Sequence, residues 1–157
     1  MKSVYIETSV ISYLAARASR NLIAAAWQQV TADWWRTERS RYEILTSELV
    51  VAEARAGDKE IAGRRLELLK GIPELVIDDQ VRELAARLLK DVLPAQAKAD
   101  ALHIAVAAVH EVDYLLTWNC RHIDNASMKP VVRSVCVVAG YQCPEICTPL
   151  ELRGRQP

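Results

Sequence analysis

The chain has 157 residues, of which 51% are hydrophobic and 25% are charged, and its formal net charge is +0. This length suits one domain over residues 1–157 with a substantial core, and the composition argues against disorder. The balanced charge excludes a polybasic coat for nucleic acid or membrane, so nucleic-acid contact would need a local patch or a bound cation.

The first half of the chain alternates short β-prone runs with helical patterns. The long pattern at 21–39 carries three tryptophans, which suit packing or an interface, or alternatively a stacking platform for bases. We place Leu22, Ala26, Trp27 and Val30 on its apolar face. In order, the sequence predicts a strand at 4–6, a helix capped by Thr8 or Ser9, a helix at 21–39, a strand at 42–46, a helix capped by Ser47, a helix at 59–70 capped by Asp58, a strand at 74–77, and a helix from Asp78 or Asp79 that ends before Pro94.

The second half begins with an Ala-rich helix opened by Asp100, which is apolar nearly all round and should be buried. Tyr114–Thr117 predicts a strand buried on both faces, followed by a loop at 118–122. We expect a final strand within 131–138 and one helical turn at 148–152. Because strands alternate with helices throughout, the pattern predicts a parallel sheet between helices, with ligands beyond the carboxyl ends of the strands.

Targeting signals and bridged cysteines are not expected. No stretch approaches the ~18 apolar residues of a membrane span, and the N-terminus does not match a signal peptide. We therefore expect a cytoplasmic protein without membrane contact. Its four cysteines should be thiols, since Cys143 and Cys147 have no second pair with which to form a zinc site.

Four polar positions fall where one edge of this sheet is predicted. Glu7 follows the first strand, Glu53 lies in the helix after the second, and Asp100 and Asn119 flank the strand at 114–117. Clustered carboxylates usually persist with a cation, and oxygen ligands suit Mg²⁺ or Mn²⁺, which can activate water and polarise a phosphoryl group. Each acid could equally be a cap or a surface charge, and for Asp100 an N-cap and a ligand remain open.

Several segments resemble, in order, the motifs of the PIN-domain family, in particular its VapC-like toxin ribonucleases. Y-I-E-T-S-V-I-S-Y-L is similar to the family's opening, and S-E-L-V-V-A-E and K-A-D-A-L-H-I-A resemble its second and third acidic motifs. Y-L-L-T-W-N is similar to the strand and loop that carry the fourth position. The tail at 140–152 is similar to that of one branch of the family.

The resemblance implies an α/β fold, a three-layer α/β/α sandwich with a central parallel sheet. It also implies that Glu7, Glu53 and Asp100 hold one or two Mg²⁺ or Mn²⁺ ions, with Asn119 assisting directly or through water, in a ribonuclease that cleaves RNA. Many members are toxins inhibited by a co-expressed antitoxin protein, and homodimers are common.

Two positions depart from the family pattern. Glu7 stands where the family usually has Asp, and Asn119 replaces the fourth acid, with His122 at the place of a nearby family Asp. An Asn can supply a neutral oxygen ligand or hold a metal-bound water. Asp124 could substitute if its loop curls back, although a solvated loop acid is the ordinary alternative.

Further polar residues are candidates for orienting the site. His103 shares a helix face with Asp100 and either acts near a phosphate or hydrogen-bonds behind the site. An arginine-rich region at 17–41 is either a solvated helix face or an RNA-phosphate groove. No nucleotide-binding glycine loop and no G-x-S-x-G elbow occurs. The orienting candidates are Thr8, Ser9, His103, Thr117 and His122.

Two other functions remain open. The altered acids could mark a catalytically degenerate PIN-fold module that binds RNA or protein. A structure-specific DNA nuclease is a third option, because metal–carboxylate chemistry does not itself choose between sugars. Metal affinity separates the first alternative from a ribonuclease.

Overall fold

The computed structural model describes residues 1–154 and contains one parallel sheet of five strands in the order β3-β2-β1-β4-β5. The strands are β1 (Ser3–Ile6), β2 (Glu43–Ser47), β3 (Glu74–Leu75), β4 (Tyr114–Leu116) and β5 (Glu145–Cys147). The helices are α1 (Thr8–Ala15), α2 (Leu22–Thr37), α3 (Glu48–Ala54), α4 (Lys59–Leu69), α5 (Asp79–Asp91), α6 (Lys98–Val109) and α7 (Lys129–Val138), with a short 3₁₀ helix at Arg39–Arg41.

The centre of the sheet is β1, which pairs with β2 on one side and β4 on the other. Every residue of β1 is buried, as expected for a parallel strand that is covered on both faces. Tyr5 pairs with Leu45 of β2 and Leu115 of β4 in this register.

The helices form two contacting groups, α1 with α2, α3 and α4, and α5 with α6 and α7. These groups cover the sheet as the two outer layers, so the predicted three-layer α/β/α sandwich is confirmed. The Ala-rich helix α6 is buried over most of its length, because small apolar side chains surround it on nearly every face.

Helix caps agree with the sequence prediction in three places and differ from it in two. Ser47, Asp58 and Asp78 each accept a backbone N–H in the first turn of the helix that follows. Asn21, which the sequence places inside the helical pattern, caps α2 in the same way. At α1 the cap is Glu7 rather than Thr8 or Ser9. At α6 the helix begins two residues before Asp100, after Ala97, so of the two roles left open for Asp100 the N-cap is excluded.

The strand predicted within 131–138 is wrong, because this segment is helix α7. Its valines suggest a strand, but Val132 and Cys136, four residues apart, are its buried positions, and this is helical spacing. Pro130 in the first turn suits a helix start. The last strand is β5, which pairs with β4 and lies in the tail, and a hydrogen-bonded turn at 148–152 follows it.

Burial also corrects the apolar face assigned to the long helix α2. Leu22 is 87% exposed, so the face that packs on the core begins later in the helix, at Trp27. All four cysteines carry free thiols. Among residues 1–154 no helix is long and apolar enough to cross a membrane.

The strand order fixes where a ligand site is expected. From β1 the chain builds the sheet outward through β2 and β3, then returns to place β4 on the other side of β1. The carboxyl ends of β1 and β4 therefore flank the point at which the order reverses, and ligands of open α/β sheets bind at such a point.

Candidate active site

Glu7 lies at this reversal point, immediately after β1, and its backbone N–H donates to the carbonyl of Leu116 at 3.1 Å. Its side chain is only 7% exposed. Oε2 accepts the Ser9 N–H at 3.1 Å, the Ser9 hydroxyl, and the Thr117 hydroxyl at 2.8 Å. The carboxylate is therefore held by the start of α1 and by the residue after β4.

The same two hydroxyls bind the loop after β4. Ser9 Oγ accepts the backbone N–H of Trp118 at 2.8 Å, and Thr117 Oγ1 accepts that of Asn119 at 2.9 Å. Because each hydroxyl donates to Glu7 and accepts from this loop, the loop is fixed against the glutamate.

Glu53 approaches Glu7 from helix α3, with His103 between them. Glu53 Oε1 accepts the Thr8 hydroxyl at 2.8 Å and lies 2.6 Å from His103 Nε2, which is 3.8 Å from Glu7 Oε1. His103 is 1% exposed and the Glu53 side chain 34%. Burial works to raise the pKa of Glu53, but the hydrogen bonds with His103 and Thr8 outweigh it and hold that pKa below its usual value.

Asp100 belongs to a second group, on the far side of the loop after β4. Asp100 Oδ1 accepts the Asn119 side-chain N–H at 2.9 Å, and Oδ2 lies 2.9 Å from His122 Nδ1. The side chains of Asp100 and His122 are each 20% exposed. Asn119 Oδ1 accepts the backbone N–H of His122 at 3.0 Å, so the amide turns its nitrogen, not its oxygen, toward Asp100.

The structure thus places all nine predicted site residues at one edge of the sheet, but in two groups. Segment 117–119 joins the groups, since Thr117 contacts Glu7 and Asn119 contacts Asp100. No hydrogen bond or ion pair within residues 1–154 joins Asp100 to either glutamate. The group around Glu7 also contains Thr8, Ser9, Glu53, His103 and Thr117, and the group around Asp100 contains Asn119 and His122.

The donor chemistry of the site fits a hard divalent cation. As the side chains stand, residues 1–154 contain no gathered group of three His, Cys, Asp or Glu side chains that could hold a metal ion. Glu7 Oε1 and Glu53 Oε2, however, accept no hydrogen bond from any described residue, and both belong to carboxylates at the reversal point. Oxygen donors of this kind are those that Mg²⁺ and Mn²⁺ prefer.

Asp124 lies outside both groups. Its carboxylate pairs with Lys129 Nζ at 2.6 Å, which leaves it turned toward α7. Burial raises the pKa of Asp124, although Lys129 works in the opposite direction. This pairing does not favour Asp124 as a replacement for the fourth acid.

The arginine-rich and tryptophan-rich segments are engaged within the chain. Arg17, Arg36 and Arg41 form ion pairs with exposed or partly exposed acids at 2.7–3.1 Å, which favours a solvated helix face. Trp118 stacks on Trp27 with ring centroids 4.7 Å apart, and this contact favours packing over a free base-stacking platform.

Two residues behind the site were not predicted from the sequence. Tyr5 and Ser47 hydrogen-bond to each other at 2.8 Å, and the Tyr5 hydroxyl lies 2.7 Å from His103 Nδ1. The sequence predicts Tyr5 only as part of an apolar strand and Ser47 only as a helix cap. The available signal was strand alternation, which puts Tyr5 and Glu7 on the same face.

Comparison with known proteins agrees with this architecture. The sequence model of the family described as PIN domain matches residues 4–125, well over half of the chain. No curated protein matches the chain. Among solved structures, a chain in the crystal structure of VapBC2 from Rickettsia felis bound to a DNA fragment from their promoter is similar, with a TM-score of 0.51 and 14% identity over 75% of this chain and 88% of that one. At this identity the likeness shows the fold alone.

Proposed function

The chain belongs to the PIN domain family, and on that premise we propose that it is a metal-dependent endoribonuclease, the toxin of a type II toxin–antitoxin pair. The observation that carries the proposal is the meeting of Glu7 and Glu53 at the reversal point of the sheet, with one oxygen of each carboxylate left without a protein donor. A site of this chemistry at this place suits a cation and a phosphodiester substrate.

Glu7, Glu53 and Asp100 are the residues that would hold Mg²⁺ or Mn²⁺. A divalent cation bound there supplies a water of lowered pKa and polarises a phosphoryl oxygen. The other polar residues orient these acids. Ser9 and Thr117 fix Glu7, Thr8 and His103 fix Glu53, and Asn119 and His122 fix Asp100.

The RNA substrate, the partners and the location of the protein are part of this proposal. A chain of similar fold occurs in VapBC2 of Rickettsia felis, and this supports an antitoxin protein as partner. We extend the proposal to a homodimer in the cytoplasm. Asn119 takes the role of an orienting donor rather than an oxygen ligand, because its oxygen accepts the His122 N–H.

One observation favours a second candidate function, a catalytically degenerate PIN-fold module that binds RNA or protein. All three carboxylates already accept hydrogen bonds from, or contact, protein donors, and no third ligand joins Glu7 and Glu53 within residues 1–154. Because the protein itself supplies hydrogen-bond donors to these acids, the fold can be stable without a cation.

An RNA-cleavage assay tests the proposal. Purified wild type, Asp100→Asn and Glu53→Gln are incubated with single-stranded and structured RNA, with Mn²⁺ or with a chelator. We expect cleavage by wild type with Mn²⁺ only, and loss of cleavage in both variants with the fold intact. The exposed acids Asp91 and Glu83 provide matched controls, since Asp91→Asn and Glu83→Gln should cleave as wild type does.

The same assay separates the alternatives. Metal-dependent cleavage that persists in Asp100→Asn would contradict the proposed site. Absence of cleavage together with tight RNA binding would favour the degenerate module. Equal cleavage of a DNA strand of the same sequence would point to a nuclease that does not distinguish the sugars.

A further inference from the structure

Tyr5 lies behind His103 and extends the hydrogen-bond network of the site beyond its acids. Tyr5 is fully buried in the central strand, and its hydroxyl lies 2.8 Å from Ser47 Oγ and 2.7 Å from His103 Nδ1. We infer that Tyr5 is a positioning residue of the proposed nuclease, and that it sets the orientation of Glu53 by fixing which nitrogen of His103 carries the proton. The inference rests on the proposed function and extends it.

For a neutral His103 ring, the hydrogen-bond partners are consistent with one arrangement of protons. Burial raises the pKa of Tyr5, so its hydroxyl keeps its proton. Ser47 Oγ already accepts the N–H of Val50 at 3.3 Å, and its own proton is therefore available to Tyr5. Tyr5 then donates to His103 Nδ1, and the ring proton lies on Nε2, where it is donated to Glu53 Oε1 at 2.6 Å.

If Tyr5 instead donates to Ser47, a neutral His103 ring has no N–H to donate to Glu53. The ring would carry its proton on Nδ1. Its unprotonated Nε2 would then face an oxygen of ionised Glu53 at 2.6 Å, which brings two acceptors together. In a neutral ring, the Tyr5 hydroxyl therefore selects the form that can hold Glu53. A ring protonated on both nitrogens would also donate to Glu53, with Nδ1 donating to the Tyr5 oxygen, and ¹⁵N NMR separates these two forms.

Fixing Glu53 in this way determines which of its oxygens is free. Oε1 is occupied by His103 and by the Thr8 hydroxyl, whereas Oε2 accepts no hydrogen bond from residues 1–154. His103 also lies 3.8 Å from Glu7 Oε1, so the ring spaces the two glutamates. Partners behind a ligand typically change metal affinity by about 10-fold to 100-fold when they are removed.

The test compares wild type with Tyr5→Phe, which removes only the hydroxyl. Tyr114→Phe is the matched control, because Tyr114 is a partly buried tyrosine of the neighbouring strand β4 outside this network. The readouts are ¹⁵N NMR of the histidine rings, with the His103 signal assigned by its loss in His103→Gln, and isothermal titration with Mn²⁺ alone.

In wild type we expect His103 to carry its proton on Nε2, with Nδ1 hydrogen-bonded. In Tyr5→Phe the Nδ1 signal should move to the position of a nitrogen without a hydrogen bond, and the Mn²⁺ dissociation constant should rise at least about 10-fold. Tyr114→Phe should change neither. A merely structural role of Tyr5 would lower stability and leave the Mn²⁺ dissociation constant unchanged.

Two results would overturn the inference. One is a wild-type His103 ring that is protonated on Nδ1, either alone or together with Nε2. The other is an intact Tyr5→Phe variant with unchanged Mn²⁺ affinity. If wild type binds no Mn²⁺, the proposed function fails, and the ring measurement on wild type and folded Tyr5→Phe then decides whether Tyr5 fixes the His103 proton, because it requires no metal.

Discussion

Asn119→Asp restores a fourth carboxylate where the family usually carries one, and the structure predicts a penalty for it in the absence of metal. The Asn119 side-chain nitrogen donates to Asp100 Oδ1 at 2.9 Å, while its oxygen accepts the His122 N–H. The substitution keeps the acceptor for His122 and replaces the donor with a second carboxylate oxygen. Two carboxylates would then face each other at hydrogen-bond distance.

Two estimates give an upper limit for this penalty in the free energy of unfolding. Like charges about 4 Å apart repel by about 4 kcal/mol at the effective dielectric of a protein surface. Binding one proton relieves the repulsion, and for a carboxyl with an ordinary pKa of about 3.9 this costs about 4 kcal/mol at pH 7. Because the Asp100 side chain is 20% exposed, solvent screens part of the charge. We therefore expect a loss of about 2–4 kcal/mol in the free energy of unfolding.

Urea denaturation at pH 7, with a chelator and then with Mn²⁺, measures this loss. Asn119→Ala is the uncharged control, which removes the hydrogen bond to Asp100 and also the acceptor for the His122 N–H. With the chelator, Asn119→Asp should be less stable than Asn119→Ala, and with Mn²⁺ the order should reverse. The extra loss should shrink as the pH falls toward 4, because the folded variant then binds the proton that relieves the repulsion. An Asn119→Asp variant as stable as wild type at pH 7 with the chelator would refute this reasoning.

Three further predictions concern the fold. Glu111 has a φ of 56°, in the left-handed region, so Glu111→Gly should raise the free energy of unfolding by about 1 kcal/mol in urea denaturation; a lower stability would contradict it. Thr31 Oγ1 accepts the buried Trp118 Nε1–H at 2.7 Å. Thr31→Val should therefore cost about 1–3 kcal/mol in the same measurement, and more than Thr31→Ser, which keeps the hydroxyl. Cys120 is exposed, whereas burial raises the pKa of Cys147 to about 12. Thiol labelling at pH 8 followed by peptide mapping should modify Cys120 in the native protein and Cys147 only in urea, and equal labelling rates would contradict this assignment.

The sequence was sufficient for most of the fold because its local signals agree with its packing. The buried runs of β1 and β4 and the side-chain caps at Ser47, Asp58 and Asp78 all occur where alternation and capping chemistry predict them. The strand predicted within 131–138 is wrong because β-branched valines favour strands locally, while packing of α7 against α5 favours a helix. The same error hid β5, whose three residues are too few to show a pattern.

The sequence predicts which residues come together in the site, but it does not predict which of them hydrogen-bond to each other. Chain order and parallel topology place Glu7, Glu53, Asp100 and Asn119 at one edge. Which donor each carboxylate accepts depends on rotamers and on helix registers that spacing does not determine. Two features were therefore inaccessible from the sequence, namely the pairing of Asp100 with Asn119 and His122 and the network of Tyr5 behind His103.

A thermal melt with and without Mn²⁺, on wild type and on Asp100→Asn, tests the central claim most directly. If the acids form a working cation site, Mn²⁺ at about 100 times its dissociation constant stabilises wild type by about 2.7 kcal/mol, and the shift in melting temperature is lost in Asp100→Asn. The absence of any shift in wild type at millimolar Mn²⁺ would contradict a metal-dependent nuclease and leave the degenerate module as the function of this fold.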